Sequence, residues 1–117
     1  MSTTKILHNP RCSKSRQTLA LLEEQGIAPE IVKYLESAPS VEEIFSICSM
    51  LGKLPLDIIR TKEALFAELG LKKTDSRSDT EWAELMHANP KLIERPIVVH
   101  GDKAAIGRPP EDVLALF

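Results

Sequence analysis

The side chains best suited to chemistry lie between residues 8 and 16. Cys12 stands in the run His8-Asn-Pro-Arg-Cys-Ser-Lys-Ser-Arg16, surrounded by His8, Arg11, Lys14 and Arg16. A thiolate, not a thiol, is the nucleophile, and cationic neighbours favour the thiolate. Asn9-Pro10 is a turn signal. Ser13 or Ser15 can cap a helix that follows. Cys12 is thereby expected at or just before a helix N-terminus, where open N–H groups and the helix dipole favour an anion. Three arginines stand apart from this loop. Arg60 is expected at the start of a helix. Arg95 and Arg108 each precede a proline, which biases their backbones to extended conformations and directs their side chains. A guanidinium matches an oxyanion with a planar fork and keeps its charge in a dry site. A thiolate at a helix start with converging arginines would suit an oxyanion attacked by sulfur. Taken singly, each arginine reads more simply as a solvated surface charge.

The elements that must position these groups are legible from the patterning. Ile6-Leu7 ends a buried strand. Ser13 to about Gln25 reads as a helix, with Leu19 and Leu22 on one face and Gly26 as its stop. Glu30 to Leu35 is short and rich in β-branched and aromatic residues, so a second strand is expected there. Strand, helix and strand of these lengths imply a parallel unit with a right-handed crossover. Ser40-Val-Glu-Glu43 and Ser78-Asp-Thr-Glu81 are capping boxes, each opening a helix. The first helix carries Ile44, Ile47, Cys48 and Leu51 at core spacing, so Cys48 reads as a packing residue. The second turns Trp82, Leu85 and Met86 inward, and His87 is expected at the surface. Between them, residues 54–59 read as an apolar connection. Thr61 is expected to cap a short helix with Leu65 and Leu69 on one face, and residues 71–77 read as a polar loop. Arg95 to His100 and Lys103 to Ile106 form a hairpin about Gly101-Asp102. Pro109-Pro110-Glu111-Asp112 opens a last helix with Val113, Leu114, Leu116 and Phe117.

A chain of 117 residues, 43% hydrophobic and 27% charged, suits one globular domain with its own core. The net charge of −2 gives no reason to expect nucleic acid. No apolar run reaches membrane-spanning length, and no secretory signal is read at the N-terminus. Two cysteines without such a signal point to a reducing cytoplasm rather than a disulfide scaffold. Neither cysteine has metal-ligand spacing with the three histidines, so no metal site is expected.

The element order is β-α-β, a run of helices, then β-β-α. That is the layout of an α/β thioredoxin-like core with a helical insertion at about residues 40–90, between the second and third strands of a single domain, 1–117. In that fold a proline before the third strand sits beside the reactive cysteine, often in the cis form; here it is Pro96. The run His8 to Arg16, with Arg60, Glu94-Arg-Pro-Ile-Val98 and Ile106-Gly-Arg-Pro109, resembles the arsenate reductases that depend on glutathione and glutaredoxin. The likeness extends over essentially the whole chain. It implies that Cys12 is the nucleophile and that Arg60, Arg95 and Arg108 hold the arsenic oxyanion. It implies that His8 helps depress the cysteine pKa and that Ser15 hydrogen-bonds the thiolate. It also implies arsenate as substrate, glutathione as co-substrate, glutaredoxin as partner and no bound cofactor. Two alternatives share the cysteine loop. One is a related glutathione-dependent enzyme with another substrate. The other is a non-enzymatic regulator that binds RNA polymerase, which in its relatives carries a Cys-x-x-Cys pair. Position 15 is serine here, which argues for an external thiol.

Overall fold

In the computed structural model, which describes residues 3–117, four strands form one sheet in the order β2-β1-β3-β4. Strand β1 (Thr4–Leu7) runs parallel to β2 (Glu30–Val32) on one side and antiparallel to β3 (Ile97–His100) on the other. Strand β4 (Lys103–Ile106) closes the edge as a hairpin with β3, turning at Gly101 with φ 62°. Helix α1 (Ser13–Glu24) links β1 to β2. A 3-10 helix, Pro110–Leu116, ends the chain and packs on α1 and β4.

Register decides what meets at one end of this sheet. Leu7 is opposite Val32 and Ile97, and Ile97 is opposite Ile106. The loop leaving β1 therefore starts between Lys33 on the β2 side and Pro96 on the β3 side. Two residues outside the Ile97–Ile106 pair stand Arg95 and Arg108. The sequence separations between these segments are large, but the ladder makes them neighbours.

The chain divides into two compact units, one from the residues up to Ser37 together with Arg95–Phe117, the other Ala38–Glu94. In the first, Ile6, Leu22, Val98 and Val113 form the fully buried centre, flanked by Leu19, Ile27, Ala105 and Leu116. Complete burial of a side chain such as Leu22 stabilises by about 2 kcal/mol. Helix α1 turns Ser15, Thr18 and Leu22 to the sheet. Small polar residues on that face let the backbone after β4 come close. A Cβ at Gly107 would lie 2.5 Å from Thr18 Oγ1 and 2.8 Å from Pro96 Cγ.

In the second unit, α2 (Val41–Leu51) and α4 (Asp79–Ala88) pack together. Both begin with the expected capping boxes, Ser40 with Glu43 and Ser78 with Glu81. Ile44, Ile47, Cys48, Trp82 and Met86 are buried, and the Phe66 and Trp82 rings stack at 6.4 Å. His87 is exposed, with Nδ1 2.9 Å from the Pro39 carbonyl.

Several local expectations are corrected. The second strand stops at Val32, because the chain turns at Lys33, whose carbonyl accepts from the Glu36 and Ser37 N–H groups. The connection 54–59 contains a 3-10 turn, Pro55–Ile58, tied by Asp57 Oδ2 to the Leu54 N–H. Thr61 does not cap the short helix α3 (Ala64–Glu68), whose N-cap is Glu63. Residues 60–63 are spent in a turn that follows the Ile59–Ile93 bridge. Phe66 is the buried residue of α3, whereas Leu69 is 43% exposed. Leu71 is buried within the segment expected to be wholly polar. The last helix is 3-10 rather than α, and Phe117 lies outside its buried face, against His100 at 4.5 Å. Among the described residues, no helix is long and apolar enough to cross a membrane.

Candidate active site

The β1–α1 loop is fixed by its own hydrogen bonds. Asn9 Oδ1 accepts from the Arg11 N–H at 3.0 Å, and the Cys12 N–H donates to the Asn9 carbonyl at 3.0 Å. Arg16 Nη1 donates to the Pro10 carbonyl at 2.9 Å. Ser15 Oγ accepts from the Asn9 N–H at 3.0 Å and lies 2.7 Å from His8 Nδ1. This one hydroxyl ties the start of the loop to the first turn of α1.

Cys12 itself is the N-cap residue of α1, with φ −93° and ψ 122°. Ser13 and Ser15 are therefore inside the helix, and neither is its cap. The sulfur occupies the place that a capping oxygen would take. It is only 9% exposed, and that burial alone would raise its pKa. Against burial act the Ser15 N–H, the Arg95 charge, the Lys14 N–H and the Arg108 charge, in that order. The balance falls below the usual thiol value. Arg108 Nη2 lies 3.9 Å from Cys12 Sγ, and Arg108 Nε donates to the Arg95 carbonyl at 2.7 Å. Nε and Nη1 of Arg95 are shielded from solvent. Both Arg95–Pro96 and Arg108–Pro109 are cis peptide bonds. Pro96 is buried, and its carbonyl accepts from the Gly107 N–H at 2.9 Å.

His8 has a different surrounding from the one its place in the sequence suggests. It is 6% exposed, and its pKa is lowered by burial first, then by Lys33 and Arg16. A neutral ring brings no positive charge to the sulfur, and its Nδ1 is engaged with the Ser15 hydroxyl. Ser15 likewise acts on the sulfur through its backbone N–H, while its hydroxyl serves His8 and Asn9. Lys33 is the neighbour that sequence reasoning missed. Only the parallel register, with the His8 N–H on the Val32 carbonyl at 2.8 Å, brings it beside His8.

The structure thus gathers His8, Cys12, Ser15, Arg95, Pro96 and Arg108 within the first unit. Arg60 belongs to the second. Its guanidinium is ion-paired with Glu63 at 2.7 Å, and Glu63 also holds Lys91 at 3.5 Å. The other thiol, Cys48, is free and 3% exposed. Burial, then Asp57 and Asp79, push its pKa up to about 11. Among the described residues, no three His, Cys, Asp or Glu side chains come together as a metal site.

Residues 7–116 match the model of the ArsC family. An arsenate reductase of Haemophilus influenzae is 50% identical over 113 residues, covering 96% of this chain and 97% of the relative. YfgD, an uncharacterised protein of Escherichia coli K12, is 49% identical, covering 96% and 94%. The solved structure of an arsenate reductase from Vibrio cholerae superposes with a TM-score of 0.93 at 51% identity, covering 98% of both chains. The α/β fold is thioredoxin-like, as the element order led us to expect.

Proposed function

Because the chain belongs to the ArsC family, we propose that it is an arsenate reductase in which Cys12 is the nucleophile. The observation that carries this reading is the buried Cys12 thiol whose pKa is lowered, with Arg108 3.9 Å from its sulfur and Arg95 beside it. A buried sulfur anion with two guanidinium groups is suited to an incoming oxyanion, whose charge those groups neutralise as the adduct forms. Arg60 enters as the third oxyanion ligand on the family resemblance alone. We read the second unit as an insertion into the thioredoxin-like core.

In the proposed reaction the Cys12 thiolate attacks arsenic(V), and one arsenate oxygen leaves as water. The thiol of glutathione then attacks the same arsenic and displaces a second oxygen as water. A glutaredoxin thiolate attacks the glutathione sulfur, forming a mixed disulfide. The electron pair of the sulfur–arsenic bond stays on arsenic, which becomes arsenic(III). Water releases it from Cys12 as arsenite, and the thiolate is regenerated. Ser15 in place of a second loop cysteine supports an external reductant of this kind. His8, held neutral, would fix Ser15 and hence the first turn of α1. No bound cofactor is needed. A reducing cytoplasm suits two free cysteines and a supply of glutathione.

The test is arsenate-dependent NADPH oxidation in a mixture of the protein, glutathione, glutaredoxin and glutathione reductase. Turnover that requires arsenate, glutathione and Cys12 together is the expected result. No arsenate-dependent oxidation by folded protein would overturn the reading.

A further inference from the structure

The sheet order puts the two sides of the cysteine loop to different uses. Strand β3 and its partner β4 lie on one side of β1, with Arg95 just before β3 and Arg108 just after β4. Strand β2 lies on the other side. There, a cleft of about 230 Å³ opens between the His8–Arg11 stretch of the loop and Lys33, Leu35 and Glu36 after β2. Its loop wall ends one residue before Cys12. Lys33 stands near enough to His8 to help keep the ring neutral.

The charges around this cleft are two positive, Arg11 and Lys33, and one negative, Glu36. All three residues are exposed, and among the described residues none of their side chains is in an ion pair. Leu35, 43% exposed, supplies an apolar patch beside them. Glutathione carries two carboxylates and one ammonium, the complement of that set. An oxyanion approaching from the arginine side leaves the β2 side as the open flank for a second thiol.

We propose that this cleft seats the peptide thiol co-substrate, with Arg11 and Lys33 receiving its carboxylates and Glu36 its ammonium. The inference rests on the glutathione dependence proposed above and adds the place where glutathione binds. The cleft orients the tripeptide and takes no part in bond making. Its volume holds part of a tripeptide, so the remainder lies in solvent.

The experiment uses S-methylglutathione, which keeps the charges and cannot react. Titrated into the full chain, it should give saturable amide shifts in NMR at Arg11, Lys33 and Glu36. Lys33→Glu and Arg11→Glu should each weaken binding about 10-fold, the scale of one charge-assisted hydrogen bond. Lys33→Gln provides a milder variant, and circular dichroism checks all three for folding. In the coupled assay, Arg11→Glu and Lys33→Gln should each raise KM for glutathione by more than they alter KM for arsenate. Absence of saturable shifts, or an affinity that neither charge reversal alters, overturns the proposal. Charge-dependent binding without any arsenate turnover would instead sink the arsenate reading and keep the cleft.

Discussion

Two buried thiols in this chain face opposite electrostatic surroundings. Cys12 is 9% exposed and Cys48 is 3% exposed, so burial works against ionisation in both. They differ in their positions on a helix and in the charges nearby. Cys12 caps the N-terminus of α1, where N–H groups point outward, and two arginines stand over it. Cys48 lies in the last turn of α2, where the dipole is negative, and Asp57 and Asp79 face it. One thiol is pushed down and the other is raised to about 11. Burial alone would have made both inert. What separates the two thiols here is which end of a helix the sulfur occupies, and the sign of the charges brought to it.

The largest test of that contrast is to remove each sulfur. Cys12→Ser should abolish arsenate-dependent turnover. Cys48→Ala should retain it, at a stability cost of about 1 kcal/mol for a small core truncation. Loss of turnover in folded Cys48→Ala protein would end the single-thiol mechanism. Iodoacetamide at mildly alkaline pH should alkylate Cys12 in folded protein and leave Cys48 intact, read by peptide mass spectrometry.

The arginines are next. Arg95→Lys and Arg108→Lys keep a positive charge and lose the planar fork. Each should lower turnover by about 100- to 1000-fold, as loss of one oxyanion donor does, with circular dichroism unchanged. Arg60→Lys should do the same if its inherited role holds. Rates within a few-fold of wild type for both Arg95→Lys and Arg108→Lys would leave the site resting on the cysteine loop alone.

A smaller effect belongs to Cys48 and to alkaline pH. Its pKa is raised in the folded state, so the folded protein holds the proton more tightly than the unfolded chain does. The stabilisation is complete below the unfolded thiol pKa and is lost as pH rises through about 11. Across that window wild type should lose about 2–3 kcal/mol relative to Cys48→Ala. Denaturant unfolding of both proteins at several pH values measures the difference, and parallel curves would refute the assigned environment.

The smallest effect is expected at Arg77. Its guanidinium lies over the Trp82 ring at 5.6 Å and pairs with Asp75 at 3.4 Å. Arg77→Lys should cost less than about 1 kcal/mol of stability, as exposed pairs of this kind do, and leave turnover as it was. A rate loss comparable to that of Arg95→Lys would show that the turnover effects reflect general charge rather than a site.

How much of this was legible in the sequence depended on the range of the interaction involved. The capping boxes at Ser40 and Ser78 are contained within four residues each, and they appear as read. Thr61 failed as a cap because the Ile59–Ile93 bridge fixes the chain just before it, and that pairing has no local signature. The strand expected through Leu35 ended at Val32 although Tyr34 is buried; its burial is achieved from a turn. Cys12, Arg95 and Arg108 stood out by residue type and by the prolines that follow the two arginines. The neutral state of His8 did not, because Lys33 reaches it only through the register of β1 on β2.

The segmented make-up of the first unit bears on the order in which the protein can be made. Strand β1 pairs with β3, from Thr4 opposite His100 to Leu7 opposite Ile97, across nearly the full length of the chain. During synthesis from the N-terminus, Cys12 is complete long before its arginines exist. A nascent chain ending at Glu94 contains the cysteine loop and the whole second unit, but neither Arg95 nor Arg108. Contacts of such high sequence separation form late, after the closure entropy of the intervening chain has been overcome. Until then the thiol lacks the two guanidinium charges that help lower its pKa in the finished fold. On that order of assembly, the arginines' contribution to lowering the Cys12 pKa arrives only when the last hairpin docks.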